Sequence, residues 1–151
     1  MFIGQYQHTI DAKGRLSIPR RFREIIQGTP EQALVVTIAE DPYLVVYPER
    51  EWQAICQRVQ ERKMAEDADH YIDEDFLRDF YAKASECDLD SQGRLLLTQK
   101  LRDHAGLNGE AIVVGINYKF EIWGREQWQD RQAVAHRNID KIRRMRLAVG
   151  M

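Results

Sequence analysis

The chain has 151 residues, of which 44% are hydrophobic and 30% charged, with 9 Gly and 4 Pro. That is enough apolar material to bury a core without metal or disulfide staples, so intrinsic disorder is excluded. No stretch approaches the ~20 apolar residues of a membrane span, and the opening Met1-Phe2-Ile3-Gly4-Gln5-Tyr6 lacks the basic head and apolar run of a secretion signal. A cytoplasmic protein with no membrane partner is expected. Cys56 and Cys87 lie far apart with no C-x-x-C spacing. This excludes a disulfide framework and a cysteine zinc site, and leaves both as expected core thiols.

The formal net charge of -2 argues, as an average, against a phosphate-bearing partner. Its distribution argues otherwise. Residues 1–30 carry five basic against two acidic side chains, residues 131–151 six against one, and residues 61–90 eleven acidic against four basic. Two basic ends flank an acidic middle.

In chain order, Tyr6, His8 and Ile10 alternate with polar residues and run into Asp11-Ala12-Lys13-Gly14. Asp caps local N–H groups and Gly accepts positive φ, so this is a turn, and Arg15-Leu16-Ser17-Ile18 alternates away from it as the second arm of a β-hairpin. Pro19 suits the first turn of a helix carrying Phe22, Ile25 and Ile26. Two strands follow, over 34–38 and 43–47, joined at Asp41-Pro42. Trp52, Ile55, Cys56 and Val59 then recur at helical spacing, as do Ile72, Phe76, Leu77, Phe80 and Tyr81, which predicts an antiparallel helical hairpin packed on the rest of the fold or on a neighbouring subunit.

The pattern then starts again. Ile10-Asp11-Ala12-Lys13-Gly14-Arg15-Leu16-Ser17-Ile18 returns 79 residues later as Leu89-Asp90-Ser91-Gln92-Gly93-Arg94-Leu95-Leu96-Leu97, and Phe22-Arg23-Glu24 as Leu101-Arg102-Asp103. With small length adjustments Leu34-Val35-Val36-Thr37 matches Ile112-Val113-Val114-Gly115, Leu44-Val45-Val46-Tyr47 matches Phe120-Glu121-Ile122-Trp123, and Trp52 matches Trp128. Thr98 can cap a helix over 99–105 that Gly106 ends. The last two strands meet near Asn117-Tyr118, and one more helix with a weak apolar face and a basic end is expected over 126–147. The fold is thus read as α+β, a β-β-α-β-β unit present twice and paired about a pseudo-twofold axis. Its divisions are unit 1 over 5–51, the helical hairpin over 52–83, unit 2 over 84–127 and the basic helix over 128–151.

The duplicated turn carries the chemistry. Each tip places an arginine, Arg15 or Arg94, four residues after an aspartate, Asp11 or Asp90. A guanidinium steadied by a carboxylate keeps a planar fork of donors suited to base edges and phosphates. Lys13, Arg20, Arg21 and Arg23 surround Arg15, whereas only Lys100 and Arg102 accompany Arg94, so the first tip is expected to bind phosphate more strongly. An acid–base dyad of Asp11 and Asp90 is disfavoured, because an adjacent arginine holds each carboxylate ionised. His8, His70, His104 and His136 show no metal-ligand spacing, and no glycine-rich nucleotide loop is present, so neither an enzyme nor a cofactor is expected. An oligomeric scaffold that docks a protein partner is the alternative to DNA binding.

Met1-Phe2-Ile3-Gly4, D-A-K-G-R-L-S-I-P from Asp11 to Pro19, S-E-C-D-L-D-S-Q-G-R-L from Ser85 to Leu95 and L-R-D-H-A-G-L from Leu101 to Leu107 together resemble the MraZ family over essentially the whole chain. The resemblance implies two AbrB-like swapped-hairpin units forming an intrachain pseudo-dimer barrel, with protomers assembled into a ring of eight or more. It implies a transcriptional regulator bound to double-stranded promoter DNA at the nucleoid, usually a repressor of the division and cell-wall gene cluster containing its own gene. The family's D-x-x-x-R residues fall on Asp11 and Arg15 and on Asp90 and Arg94. Ser17-Ile18-Pro19-Arg20 is answered by Leu96-Leu97-Thr98-Gln99, which points to unequal DNA contact by the two halves.

Overall fold

A computed structural model describes residues 1–65 and 71–151; His70 and part of the acidic middle lie outside them. The elements are β1 (Gln5–Thr9), β2 (Arg15–Ser17), α1 (Arg20–Gln27), β3 (Leu34–Ile38), β4 (Tyr43–Pro48), α2 (Glu49–Met64), α3 (Glu74–Ala82), β5 (Ala84–Cys87), β6 (Arg94–Leu96), α4 (Gln99–His104), β7 (Glu110–Ile116), β8 (Lys119–Trp123), α5 (Arg125–Arg137) and α6 (Ile139–Ala148). The mixed α and β character and the duplicated order agree with the sequence pattern.

The pairing is not local. Beyond the Ile10–Leu16 and Leu89–Leu95 bridges, the two arms of each expected hairpin part company. β1 joins β7 of the other repeat, β5 joins β3, and β2 pairs with β6 in a separate two-stranded ribbon. The main sheet runs β1-β7-β8-β4-β3-β5 and is antiparallel throughout. Each β3–β4 or β7–β8 hairpin alone would leave an open edge, and the first strand of the opposite repeat covers it. A pseudo-twofold axis passes between Leu16 and Leu95 in the ribbon and between Val45 and Glu121 in the sheet, since each of these pairs maps onto itself when the repeats are exchanged.

The ladders correct one alignment. Tyr6 faces Val113 while its counterpart Ser85 faces Val36, so Val36 answers Val113 and Leu34 answers Ala111. The match of Leu34 to Ile112 is one residue out. In a strand such a shift exchanges the two faces, and here Leu34, Val36, Ala111 and Val113 face the main core. The slip was invisible because three successive residues are buried on both strands, which removes the alternation that would have marked the inner face.

The core closes between sheet and ribbon. Phe2, Phe22 and Phe120 meet with ring centroids 5.0–5.3 Å apart, each 2% exposed or less, a burial worth about 1.5–3 kcal/mol per ring. Phe2 is held by paired backbone bonds with Asn117, its N–H donating to the Asn117 carbonyl at 2.7 Å and its carbonyl accepting from the Asn117 N–H at 2.9 Å. Gly115 beside it has no room for a side chain, since a Cβ there would stand 2.5 Å from the Phe2 carbonyl carbon. α2 and α3 form the expected antiparallel hairpin: Trp52 stacks on Phe80 at 4.9 Å at one end, and Lys63 pairs with Glu74 at the other. Tyr47 against Trp52 seats it on β4. Cys56 and Cys87 are half-buried rather than core thiols; Cys56 lies on α2, outside the core, and Cys87 packs at the core's margin.

The single helix expected near the C-terminus is two. Asn138 leaves helical geometry at φ -103°, ψ 24°, and its side-chain amide donates to the Val134 carbonyl at 3.1 Å. Such local side-chain bonding competes with the helical ladder and breaks it. No helix among the described residues is long and apolar enough to cross a membrane.

Candidate nucleic-acid interface

Each tip is built by one aspartate. Asp11 Oδ1 accepts from the Lys13 N–H at 3.0 Å and the Arg15 N–H at 2.9 Å, and Oδ2 accepts from Arg15 Nε at 2.6 Å. The Gly14 N–H closes the turn onto the Asp11 carbonyl, with Gly14 at φ +84°. Asp90 repeats the set with Gln92, Arg94 and Gly93, its Oδ2 accepting from Arg94 Nε at 2.8 Å. Both carboxyls are held below the ordinary carboxylate range, first by the backbone N–H of the arginine and then by its guanidinium. They stay ionised, which suits an anchor and not a shared-proton dyad.

Only Nε of each guanidinium is used by the anchoring aspartate, and no hydrogen bond among the described residues takes the Nη groups of Arg15 or Arg94. The ribbon decides where those groups go. Leu16 and Leu95 point inward and are fully buried, so the alternate positions Arg15, Ser17, Arg94 and Leu96 share the outward face. Arg15 stands opposite Leu96 and Arg94 opposite Ser17, which puts the arginines on a diagonal with Cα atoms ~7–8 Å apart across the twofold. The expectation that both face one surface follows from this parity.

The other predicted residues are less alike. Lys13 is exposed at the tip, and no ion pair among the described residues uses its ammonium. Arg20 and Arg21 both pair with Glu24, at 3.1 and 3.3 Å, on the exposed face of α1. Their charge is partly cancelled at home. Two arginines that sequence reasoning counted without assigning a role are placed more tellingly. Arg23 lies against Gly93 and Arg102 against Gly14, each covering the tip of the opposite repeat. Their equivalence, 79 residues apart, was the available signal; the crossing was not, because it depends on strand exchange.

Known proteins place the chain in a family. The family model of the MraZ protein, described as antitoxin-like, matches residues 1–75 and again 80–148. Proteins named "Transcriptional regulator MraZ" from Desulforamulus reducens and Ligilactobacillus salivarius are each 39% identical over 94% of this chain and 94% of their own length. The protein of that name from Lactiplantibacillus plantarum is 38% identical over 94% of this chain and 95% of its own. The double match of the model coincides with the two repeats, and the tips fall one in each. The chain belongs to the MraZ family, a family of transcriptional regulators and not of enzymes.

Proposed function

We propose that the protein is a sequence-specific DNA-binding repressor, acting as a ring of eight or more protomers on tandem repeats in the promoter of a division and cell-wall gene cluster that includes its own gene. Its AbrB-like swapped-hairpin units, over 5–51 and 84–127, form an intrachain pseudo-dimer, with the hairpin over 52–83 and the two-helix basic tail over 128–151 as its accessories. One observation carries the reading: two carboxylate-anchored arginines on the outward face of a two-stranded ribbon, related by a twofold. A ribbon of two strands fits the major groove, and Arg bidentate to guanine O6 and N7 is the commonest specific contact there.

In this reading Arg15 reads a base edge or a phosphate while Asp11 holds it, and Arg94 with Asp90 does the same more weakly. Lys13 contacts a phosphate, as do Arg20 and Arg21 to the extent that Glu24 releases them. The exchange of β1 and β5 across the axis supports the swapped pseudo-dimer. Phe76 and Tyr81 on α3, 44% and 40% exposed, and Met145 and Leu147 on α6 offer apolar faces for joining copies. Linked copies on tandem sites raise affinity by effective concentration, without any new contact. Such a protein works in the cytoplasm, at the nucleoid.

The test is titration of the protein against a duplex of the genomic DNA upstream of its gene at several salt concentrations. A steep salt slope and loss of the specific complex on Arg15→Ala are expected. No specific shift at any salt would sink the reading in favour of a scaffold.

A further inference from the structure

The tips are not self-contained. The Gly14 carbonyl accepts from the Leu97 N–H at 2.8 Å and the Gly93 carbonyl from the Ile18 N–H at 3.1 Å, so each turn is stitched to the opposite repeat. Over each glycine lies an arginine of that opposite repeat. A Cβ on Gly14 would stand 2.8 Å from Arg102 Nε, and one on Gly93 would stand 2.7 Å from Arg23 Nη1. Arg23 Nη1 also reaches the Gln92 carbonyl at 3.5 Å.

In both arginines Nε is buried with no hydrogen-bond acceptor, and no ion pair among the described residues includes either side chain. A buried N–H without an acceptor is costly, and buried polar groups are nearly always satisfied. If the space over the glycine needed only filling, Leu or Met would fill it without an orphaned donor or a charge. Yet the same residue with the same unsatisfied atom stands at both positions. What arginine adds there is a cation over the tip glycine, held by the fold instead of by a carboxylate.

We infer that each tip is completed by the other repeat: Arg102 is a positioning residue for the tip of Arg15, and Arg23 for the tip of Arg94. This rests on the DNA-binding reading and adds a crossed dependence to it. The tip with more basic residues relies on the repeat that has fewer. Each buttress keeps the turn in its groove-facing shape and contributes one uncompensated positive charge to phosphate attraction.

The experiment is a pair of double-mutant cycles on the full chain, read as affinity for the same upstream duplex. Arg102→Met keeps the packed stem and removes the charge; it should weaken binding roughly tenfold and lower the salt slope by about one. Its effect should shrink to less than about threefold in the Arg15→Ala background and persist in full with Arg94→Ala. Arg23→Met should show the reverse. Arg102→Lys should restore most of the salt slope, which a purely structural role would leave unchanged; if Arg102→Met does not fold, the cycles are run with Arg102→Lys and Arg102→Gln. Coupling of Arg102 to Arg94, independence in both cycles, or an unaltered slope would overturn the inference while leaving the DNA reading intact. A parent protein that binds no duplex would overturn both.

Discussion

Asp11 and Asp90 organise their turns with the same set of hydrogen bonds, yet the two tips face solvent with different charges. Between aspartate and glycine the first has Ala12-Lys13 and the second Ser91-Gln92. The side chain of Arg15 is 34% exposed and that of Arg94 25%. Geometry therefore rests on Asp, Gly and Arg, while electrostatic strength rests on the residues between and beside them. A duplicated scaffold can keep its shape in both copies and divide the work unequally.

The deepest cut at this comparison goes through the glycines. Gly14 at φ +84° has both the Leu97 carbonyl and the Arg102 side chain where a Cβ would go, whereas at Gly93, φ +72°, the three atoms nearest that position all belong to the Arg23 side chain. Gly14→Ala should cost about 2–4 kcal/mol of stability, left-handed strain and overpacking together, and Gly93→Ala about 1–2. Denaturant midpoints would show it, and equal losses would mean that the Leu97 carbonyl yields.

Next in size are the arginines themselves. Arg15→Ala should reduce affinity for the upstream duplex ~10- to 100-fold, in line with one lost bidentate contact, and Arg94→Ala should reduce it less. Equal losses would end the asymmetry. Smaller again is a charge exchange: Lys13→Gln should lower the salt slope by about one and Gln92→Lys raise it by about one. If the second tip does not approach DNA, only the first change will register.

The smallest effects concern protons. Asp11 and Asp90 have folded pKa values below their unfolded ones, so their contribution is fully present above the ordinary carboxylate value of about 3.9 and fades only at lower pH. Neither tip should titrate between pH 5 and 8. His8 differs: burial, then the charge of Arg23, lowers its pKa. The unfolded chain then takes up the proton more readily, and stability should fall as pH drops through about 6.5. Its counterpart in the second repeat is Cys87, whose thiol burial pushes up. His8→Gln should flatten the acid slope, and an unchanged slope would move its origin elsewhere.

Much of this architecture is local and can be read residue by residue. The Asp-x-x-Gly turn, the β3–β4 hairpin at Asp41-Pro42 and the Thr98 cap, which accepts from the Leu101 N–H at 3.4 Å, all depend on neighbours within a few positions. The Asn138 break was legible in principle but lost within an otherwise helical run. Partner choice is another matter. Nothing in residues 5–9 distinguishes β2 from β7 as a partner, because a strand's pattern records which face is buried and not which chain segment lies alongside. The crossing of Arg23 and Arg102 is downstream of that choice, so charge tallies could place them near a tip but not over the opposite one.

The exchange of strands also orders events during synthesis. β1 is made first, but its partner begins at Glu110, so at ~5–20 residues per second the first strand waits roughly 5–20 s before β7 exists. Until then β1 and the β3–β4 hairpin have unpaired edges, and pairing across so long a separation is intrinsically slow. A nascent chain stalled before Glu110 is thus a sticky half-molecule, whereas one that reaches Trp123 has every strand of the sheet.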